Sequence, residues 1–217
     1  MLPIDLRKPA GDPLRVLCLG AHSDDVEIGA GGLVRRLVRE APEVEVDWYV
    51  FTAAGPRADE ARESAAWFTE GAAAARVETL DYRESFFPEH WAEIKERLFE
   101  IRQATSPDVV LSHRLEDRHQ DHRVLAELTW NTFRDHVVLE YEIPKYEGDL
   151  GQPNVFAPLT RADAEAKADA VVRFFASQRG KQWFDAAALL GLMRLRGLEC
   201  SAPEGYAEAF HARKLTL

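Results

Sequence analysis

Two short segments of the chain concentrate the residue types that bind metal ions and move protons. The first, AHSDD, ends at Asp25 and is followed by a cluster of glycines. The second, SHRLEDRHQDH, covers 112–122 and holds three of the seven histidines in the chain. Acids and imidazoles this close together cost stability in a protein interior unless a positive group lies among them. The two segments therefore predict a metal site.

The spacing within the segments fits one metal ion. His22 and Asp25 are three residues apart at a predicted strand-to-helix junction, and His119 and His122 have the same spacing where a helix is predicted to begin. Two imidazoles and one carboxylate around a point are a typical catalytic zinc set, with a fourth position for water. If Asp25 binds the metal, Asp24 is free to act as a base on that water, whose pKa zinc lowers to about 7.

Each segment taken alone has a simpler interpretation. A lone HxxH pair is more often solvated or capping than metal-binding, and adjacent aspartates often cap a helix and favour its dipole. The glycines do not form a nucleotide-binding turn, because GxGxxG is not in register and the acids would repel a pyrophosphate. The metal interpretation depends on the fold bringing both segments together.

The alternation of strands and helices predicts that the fold brings the two segments together. Short runs rich in Val, Leu and aromatic residues predict strands at 15–21, 44–53, 76–82, 108–113 and 136–143. Amphipathic stretches between them predict helices at 31–41, 58–71, 88–108 and 121–135. This order predicts an α/β fold with a mostly parallel sheet and helices on both faces. The two segments follow the first and fourth strands, and ligands bind at the carboxyl ends of such strands.

The rest of the chain is less regular. Three prolines and two glycines predict a long ordered loop over 143–159, and two helices are predicted over 161–178 and 182–196. The last segment, YAEAFHARKLTL, fits either a strand or a helix. Gly29, Gly31 and Gly32 would let the first helix pack tightly beside the sheet. With no repeat or linker, 1–217 is predicted to be a single domain.

Composition limits the partners. The formal net charge of −10 argues against nucleic acid or an anionic membrane as the main partner. No apolar run is long enough for a membrane anchor or a secretory leader. With only Cys18 and Cys200, a disulfide framework is not expected, so a cytoplasmic location is predicted.

With these two segments, the chain resembles the PIG-L/LmbE-like zinc-dependent N-deacetylases. That family carries an AHPDD segment after its first strand and an HPDH-type segment after a later one; here they stand as AHSDD and HQDH. The resemblance implies a Rossmann-like fold across most of the chain, least securely at its C-terminal end. Ser23 replaces the usual proline. Val26 replaces an acid that often follows the paired aspartates, and Glu27 comes one residue later, so the role of that acid is open.

The resemblance also implies a role for each motif residue. One zinc ion per chain would be bound by His22, Asp25 and His122. Asp24 would be the general base, and His119 would face the developing oxyanion or protonate the leaving amine. Asp121 would hydrogen-bond to a histidine and fix its orientation.

The substrate implied by the resemblance is a small N-acetylated amino sugar or sugar conjugate, from which acetate is released. Arginines crowd the second segment of an acidic chain, so they either form a solvated face or attract an anionic substrate. The candidates for substrate contact are Arg62, Arg114, Arg118 and Arg123. Trp48, Tyr49 and Trp91 are weaker candidates for sugar contact, because core packing is the more common role of such aromatic residues.

Two other functions compete with deacetylation. A metal-dependent phosphoesterase acting on a sugar phosphate or nucleotide would need a second metal about 3.5–4 Å away and more ligands than can be assigned. A binding module that has lost turnover would not need Asp24 and His119 beside the metal. Iron or cobalt could occupy the same ligand set, and a homo-oligomer is left open.

Overall fold

The computed structural model describes residues 3–9, 11–41 and 43–216. Strands and helices alternate through most of this part of the chain. In chain order they are β1 (Leu14–His22), α1 (Asp25–Glu40), β2 (Val44–Thr52), α2 (Pro56–Phe68), β3 (Ala74–Thr79), α3 (Trp91–Ala104), β4 (Val109–His113), α4 (Gln120–Thr132), β5 (Val137–Tyr141), β6 (Val155–Leu159), α5 (Arg161–Phe174), α6 (Ala186–Glu199) and β7 (Tyr206–Ala212).

The strands form one sheet in the order β3-β2-β1-β4-β5-β7-β6. The first five run parallel, with β1 lying between β2 and β4. Only β7 runs the other way, antiparallel to both β5 and β6. The predicted α/β fold with a mostly parallel sheet is confirmed.

Helices cover both faces of the sheet. Side chains of β1 alternate between them: Val16 and Cys18 pack with α1, α2, α5 and α6, whereas Leu17 and Leu19 pack with α3 and α4. A strand that is apolar on both faces fits a parallel sheet with helices on each side. Cys18 and Cys200 are both buried and free.

Helix α1 lies unusually close to its neighbours because of its glycines. A Cβ added to Gly29 would lie 2.3 Å from the Tyr141 ring, and one on Gly31 would lie 2.5 Å from the Phe68 ring. One on Gly32 would meet a Leu159 methyl at 2.7 Å. The predicted reason for these glycines, close packing of the first helix, is confirmed.

Two parts of the C-terminal half differ from the prediction. The predicted loop over 143–159 is wrong in its last residues, because β6 occupies Val155–Leu159 at the edge of the sheet. Pro158 concealed this strand, since a residue without an N–H is tolerated in an edge strand but reads as a loop signal. The undecided segment near the C-terminus forms β7, which lies between β5 and β6.

Element ends also shift. The third strand begins and ends earlier than the predicted 76–82, and the first turn of α3 begins at Trp91 rather than at Pro88. The helix predicted over 161–178 stops at Phe174, and a short 3₁₀ turn covers Ala176–Gln178.

Candidate metal centre and active site

The two motif segments meet where the sheet order reverses direction. Strand β1 ends at His22 and the adjacent β4 ends at His113, so both deliver their following residues to one edge. The helices that follow them begin at Asp25 and Gln120. In open α/β sheets ligands bind in the crevice between two adjacent parallel strands whose chain connections lead away in opposite directions, as those of β1 and β4 do here.

Three predicted ligands face one point. His22 Nδ1 lies 3.1 Å from His122 Nε2 and 3.4 Å from Asp25 Oδ2. The other carboxylate oxygen, Asp25 Oδ1, lies 3.5 Å from His122 Nε2. Ligand atoms at zinc distances in a tetrahedral site are about 3.3–3.5 Å apart. The spacing of these residues therefore fits one metal ion.

Two further carboxylates orient the imidazoles. His22 Nε2 lies 3.0 Å from Asp121 Oδ2, and His122 Nδ1 lies 3.0 Å from Asp117 Oδ2. With a proton on each of these nitrogens, the opposite ring nitrogens keep their lone pairs for a metal. Asp121 is held in turn, because it accepts hydrogen bonds from the backbone N–H groups of Ser85 at 2.6 Å and Phe87 at 3.1 Å.

The electrostatics of the site favour a cation. Burial alone would lower the pKa of His22, but the carboxylates of Asp25 and Asp121 raise it to about 10. Burial likewise opposes ionisation of Asp25, yet His122, His113 and His22 hold the pKa of its carboxyl well below the ordinary value. The carboxylates and the His22 imidazole thus favour each other's charged form, and a divalent cation would stabilise the same carboxylates.

Asp24 is placed to accept a proton. It precedes α1, is 4% exposed, and its Oδ2 has no hydrogen-bond partner within the described residues. Burial and then the neighbouring Asp25 charge raise the pKa of Asp24 to about 6. A carboxylate with one free oxygen and a pKa near neutrality suits general base catalysis.

His119 borders the three ligand atoms. One of its ring nitrogens lies within 4.8 Å of the ligand nitrogens of His22 and His122. Its Nδ1 accepts the Asp121 N–H at 3.3 Å, so in the neutral ring the proton is carried by Nε2. The structure thus brings together all six motif residues that were assigned roles: His22, Asp24, Asp25, His119, Asp121 and His122.

His113 is the remaining one of the three histidines in the second segment, and the sequence predicts no separate role for it. It is fully buried, and its ring stacks on His122 with centroids 3.9 Å apart. Its Nε2 accepts the Ala21 N–H at 2.9 Å and lies 3.1 Å from Asp25 Oδ2. His113 therefore packs behind two of the ligands; its position at the last residue of β4 was the available signal.

Asp117 and Arg57 were missed altogether. Asp117 lies two residues before His119 in a loop, and no spacing rule for helices connects it to His122. The Nε atom of Arg57 lies 3.3 Å from Ser23 Oγ, and its guanidinium pairs with Glu84 at 2.6 Å. The replacement of the usual proline by Ser23 therefore adds a polar contact beside Asp24.

The predicted substrate arginines differ in their surroundings. Arg62 contacts Asp59 and Thr79, and Arg114 donates to the backbone carbonyl of Asp149. The guanidinium of Arg123 donates to the carbonyls of Asp117 and Arg118.

Among the described residues, the exposed guanidinium of Arg118 has no recorded hydrogen bond or ion pair. Trp48 and Tyr49 are buried in the core, whereas Trp91 is 41% exposed on α3.

Val26 and Glu27, where the chain departs from the family pattern, follow Asp25 in the first turn of α1. Val26 packs in the core. Glu27 is fully buried, and burial raises the pKa of its carboxyl well above the ordinary value. Neither of its oxygens has a hydrogen-bond partner in the part of the chain that the structure describes.

A comparison with protein families identifies the domain type. The profile described as PIG-L: GlcNAc-PI de-N-acetylase matches residues 17–133, just over half of the chain. The chain belongs to the PIG-L family. The matched range contains both motif segments, and the predicted enzyme class, a hydrolytic N-deacetylase, is confirmed by this membership.

Solved structures share the whole PIG-L fold at low identity. N,N'-diacetylchitobiose deacetylase from Pyrococcus horikoshii aligns with a TM-score of 0.70 at 22% identity, over 96% of this chain and 87% of that one. The 4-carboxy-2-hydroxymuconate hydratase GalB from Pseudomonas putida KT2440 gives a TM-score of 0.71 at 17% identity, over 94% of this chain and 98% of that one. The zinc-inhibited form of teicoplanin deacetylase Orf2 gives 0.68 at 14%, over 91% and 97%.

These likenesses show the fold rather than the reaction, since one neighbour is named a hydratase. No curated protein matches the chain significantly. Within the described residues, none of the helices combines the length and apolarity needed to cross a membrane.

Proposed function

We propose that this PIG-L protein hydrolyses an N-acetyl group on an amino sugar or sugar conjugate, releasing acetate and the free amine, with one zinc ion per chain. The observation that carries the proposal is the placement of Asp24. It directly precedes the proposed ligand Asp25, one of its buried carboxylate oxygens has no hydrogen-bond partner among the described residues, and the charges of Asp25 and His22 both act on its pKa.

The residues would divide the reaction as follows. His22, Asp25 and His122 would hold the metal, which polarises the acetamide carbonyl and acidifies the attacking water when bound. Asp24 would take the proton from that water as the tetrahedral centre forms. His119, with its proton on Nε2, would donate a hydrogen bond to the oxyanion, and the proton taken up by Asp24 would pass to the departing amine. Asp121 and Asp117 would keep the two ligand imidazoles in the required tautomers.

The substrate class is inferred from the family and from the neighbours' names. The family description names a GlcNAc conjugate, and two structural neighbours are named deacetylases of chitobiose and of teicoplanin. Arg118 lies next to His119, and its exposed guanidinium pairs with none of the described side chains, which supports an anionic or phosphorylated conjugate for this chain.

The phosphoesterase alternative has little support. Two groups of side chains among the described residues could hold a metal: His22, His119 and His122, and Asp25, His113 and His122. They share His122, so they do not form the two separate ligand sets that a two-metal phosphoesterase would need. GalB shares this fold and is named a hydratase, so hydration is the reaction to test against deacetylation.

Acetate release from a panel of N-acetylated sugars, sugar phosphates and nucleotide sugars tests the proposal. Activity should be lost with a strong chelator and restored by zinc, with iron and cobalt added in parallel to identify the preferred metal. A metal-loaded protein that releases no acetate from any member, yet hydrates an unsaturated acid, would overturn the proposal.

The anionic part of the proposal has its own test. Arg118→Gln should raise KM severalfold for a charged substrate and leave kcat nearly unchanged, because the arginine would attract substrate rather than act on the reacting atoms. The KM increase should shrink at high salt. Arg102→Gln, on the far end of α3 where Arg102 pairs with Asp135, is the matched control. If the KM for a charged substrate equals the KM for a neutral one in each of the two variants, the result would contradict an anionic substrate.

A further inference from the structure

Lys145 is a buried lysine just outside the candidate site. It lies in the loop after β5, and its side chain is only 8% exposed. Its ammonium donates to Asp117 Oδ2 at 2.8 Å, to Asp149 Oδ1 at 2.8 Å and to the Ile143 carbonyl at 3.3 Å. A buried ammonium with three acceptors is fully committed to these contacts.

Asp117 connects this lysine to the candidate metal ligands. The same oxygen that accepts from Lys145 also lies 3.0 Å from His122 Nδ1. The other oxygen accepts the backbone N–H of His119 at 2.8 Å. Asp117 is 4% exposed, so its orientation is set by these partners and not by water.

Asp149 ties the loop to the same segment from the other side. Its Oδ2 accepts the Arg118 N–H at 2.5 Å, and its carbonyl accepts from the Arg114 guanidinium at 2.8 Å. Lys145 therefore lies between two buried carboxylates, one in the loop and one in the segment that leads into α4. Without the ammonium these carboxylates would repel each other in a poorly solvated region.

We propose that Lys145 is a positioning residue for the metal centre: it holds Asp117 in the orientation that fixes the His122 imidazole, and thereby sets metal affinity. The inference rests on the proposed metal site. Loss of a partner that orients a ligand typically costs 10–100-fold in metal affinity. Lys145 acts through Asp117 and touches neither substrate nor metal in this scheme.

Lys145→Met tests the proposal, because methionine keeps much of the side-chain length without the charge. Zinc affinity is measured by competition with a chromogenic chelator, and thermal unfolding is measured with and without zinc. We expect a 10–100-fold weaker zinc affinity. Lys145→Arg should recover most of the loss, since it restores a cation between the carboxylates.

Lys8→Met is the matched control. Lys8 also bridges two aspartates, Asp12 at 2.9 Å and Asp108 at 3.2 Å, but Asp108 lies at the amino end of β4. Its loss should leave zinc affinity within about twofold of the wild-type value.

The outcomes separate positioning from general stabilisation. A folded Lys145→Met protein with wild-type zinc affinity and only a lower unfolding temperature would overturn the proposal. If Lys145→Met does not fold, the double variant Lys145→Met/Asp149→Leu is used instead, because it also removes the carboxylate that would repel Asp117. Its zinc affinity is measured in the same way and should be at least tenfold weaker than that of the wild type. Acetate release is not needed at any step, so a wrong substrate cannot affect the result. A wild-type protein that binds no divalent metal would contradict the proposed function instead.

Discussion

Asp24 and Asp25 are neighbours in the chain, yet the start of α1 gives their carboxyl groups different surroundings. Asp25 is the first residue of the helix, and its oxygens lie within 3.1–3.5 Å of three imidazoles. Asp24 precedes the helix and leaves one oxygen unpartnered among the described residues. Adjacent side chains leave the backbone in different directions, so the two carboxylates are suited to different tasks.

Asp24→Asn should separate those tasks. The change removes the basic carboxylate while keeping its shape, so kcat should fall by about 10²–10⁴ with metal content unchanged. Asp25→Asn should lose metal together with activity. Metal analysis and steady-state kinetics on both variants check this, with the exposed Asp169→Asn on α5 as control. Near-normal turnover in Asp24→Asn would show that the base is another residue.

At the scale of elements, α1 carries the first segment and must be held firmly for its N-terminal residues to stay in place. Its glycines allow close contact with β5 through Tyr141, whose hydroxyl donates to the Leu19 carbonyl at 2.7 Å. Lys167 and Glu208, which form a buried ion pair at 2.5 Å, also contact the backbone of this helix at Ile28 and Gly32. The helix is thus positioned by the sheet, by α5 and by β7 together.

Gly29→Ala should destabilise the protein by about 1–3 kcal/mol, because the new methyl group would overlap the Tyr141 ring. Denaturant unfolding measures the loss. Gly191→Ala in α6 is the control: a Cβ there meets nothing within 4 Å, and alanine should stabilise this helix by about 0.5–1 kcal/mol. Equal effects of the two substitutions would show that α1 has room to move away from the sheet.

Breaking the buried pair should cost more. Lys167 donates to Glu208 and to the Ile28 carbonyl at 2.6 Å, while Glu208 accepts the Gly32 N–H at 2.7 Å. Lys167→Met should therefore cost about 3–5 kcal/mol, because it leaves a carboxylate buried without its cation. The double variant Lys167→Met/Glu208→Gln should lose less than the sum of the single changes.

An exposed ion pair provides the comparison for the single and double variants of Lys167 and Glu208. Arg39 is half exposed and pairs with Asp163 at 2.7 Å, so Arg39→Gln should cost less than about 1 kcal/mol. Additive losses for Lys167 and Glu208 in unfolding experiments would contradict a direct coupling between them.

At the scale of the whole molecule, metal binding should be visible as stability. The candidate site joins β1, β4 and the starts of α1 and α4, so an ion bound there links both motif segments. Zinc at 100 times its dissociation constant should stabilise the folded state by about 2.7 kcal/mol. For a chain of this size that corresponds to about 5–10 °C in the unfolding temperature.

Calorimetry of the chelated and zinc-loaded protein measures this shift, and Asp25→Asn should abolish it. The zinc-dependent shift would then be present in the wild-type protein and absent from the variant, whatever the stability of each without zinc. An unfolding temperature that is unchanged by excess zinc, iron or cobalt would contradict metal binding at this site.

The sequence alone determined the alternation of elements and the two motif segments, because hydrophobic periodicity and short-range spacing are local properties. Those patterns were sufficient to predict the parallel sheet, the edge at which His22 and His122 meet, and the separate positions of Asp24 and Asp25. We further infer from the continuous sheet that 1–217 acts as a single deacetylase domain.

Only the tertiary structure showed which residues lie behind the ligands. Asp117, His113 and Lys145 come from a loop, a strand end and a later loop, and no helical or strand period links them to His22 or His122. Their contacts arise because parallel strands distant in the chain become neighbours in the sheet. The same reason hid β6 and β7: a proline-containing edge strand and its antiparallel partner are stabilised by pairing across the sheet, which a single stretch of sequence does not encode.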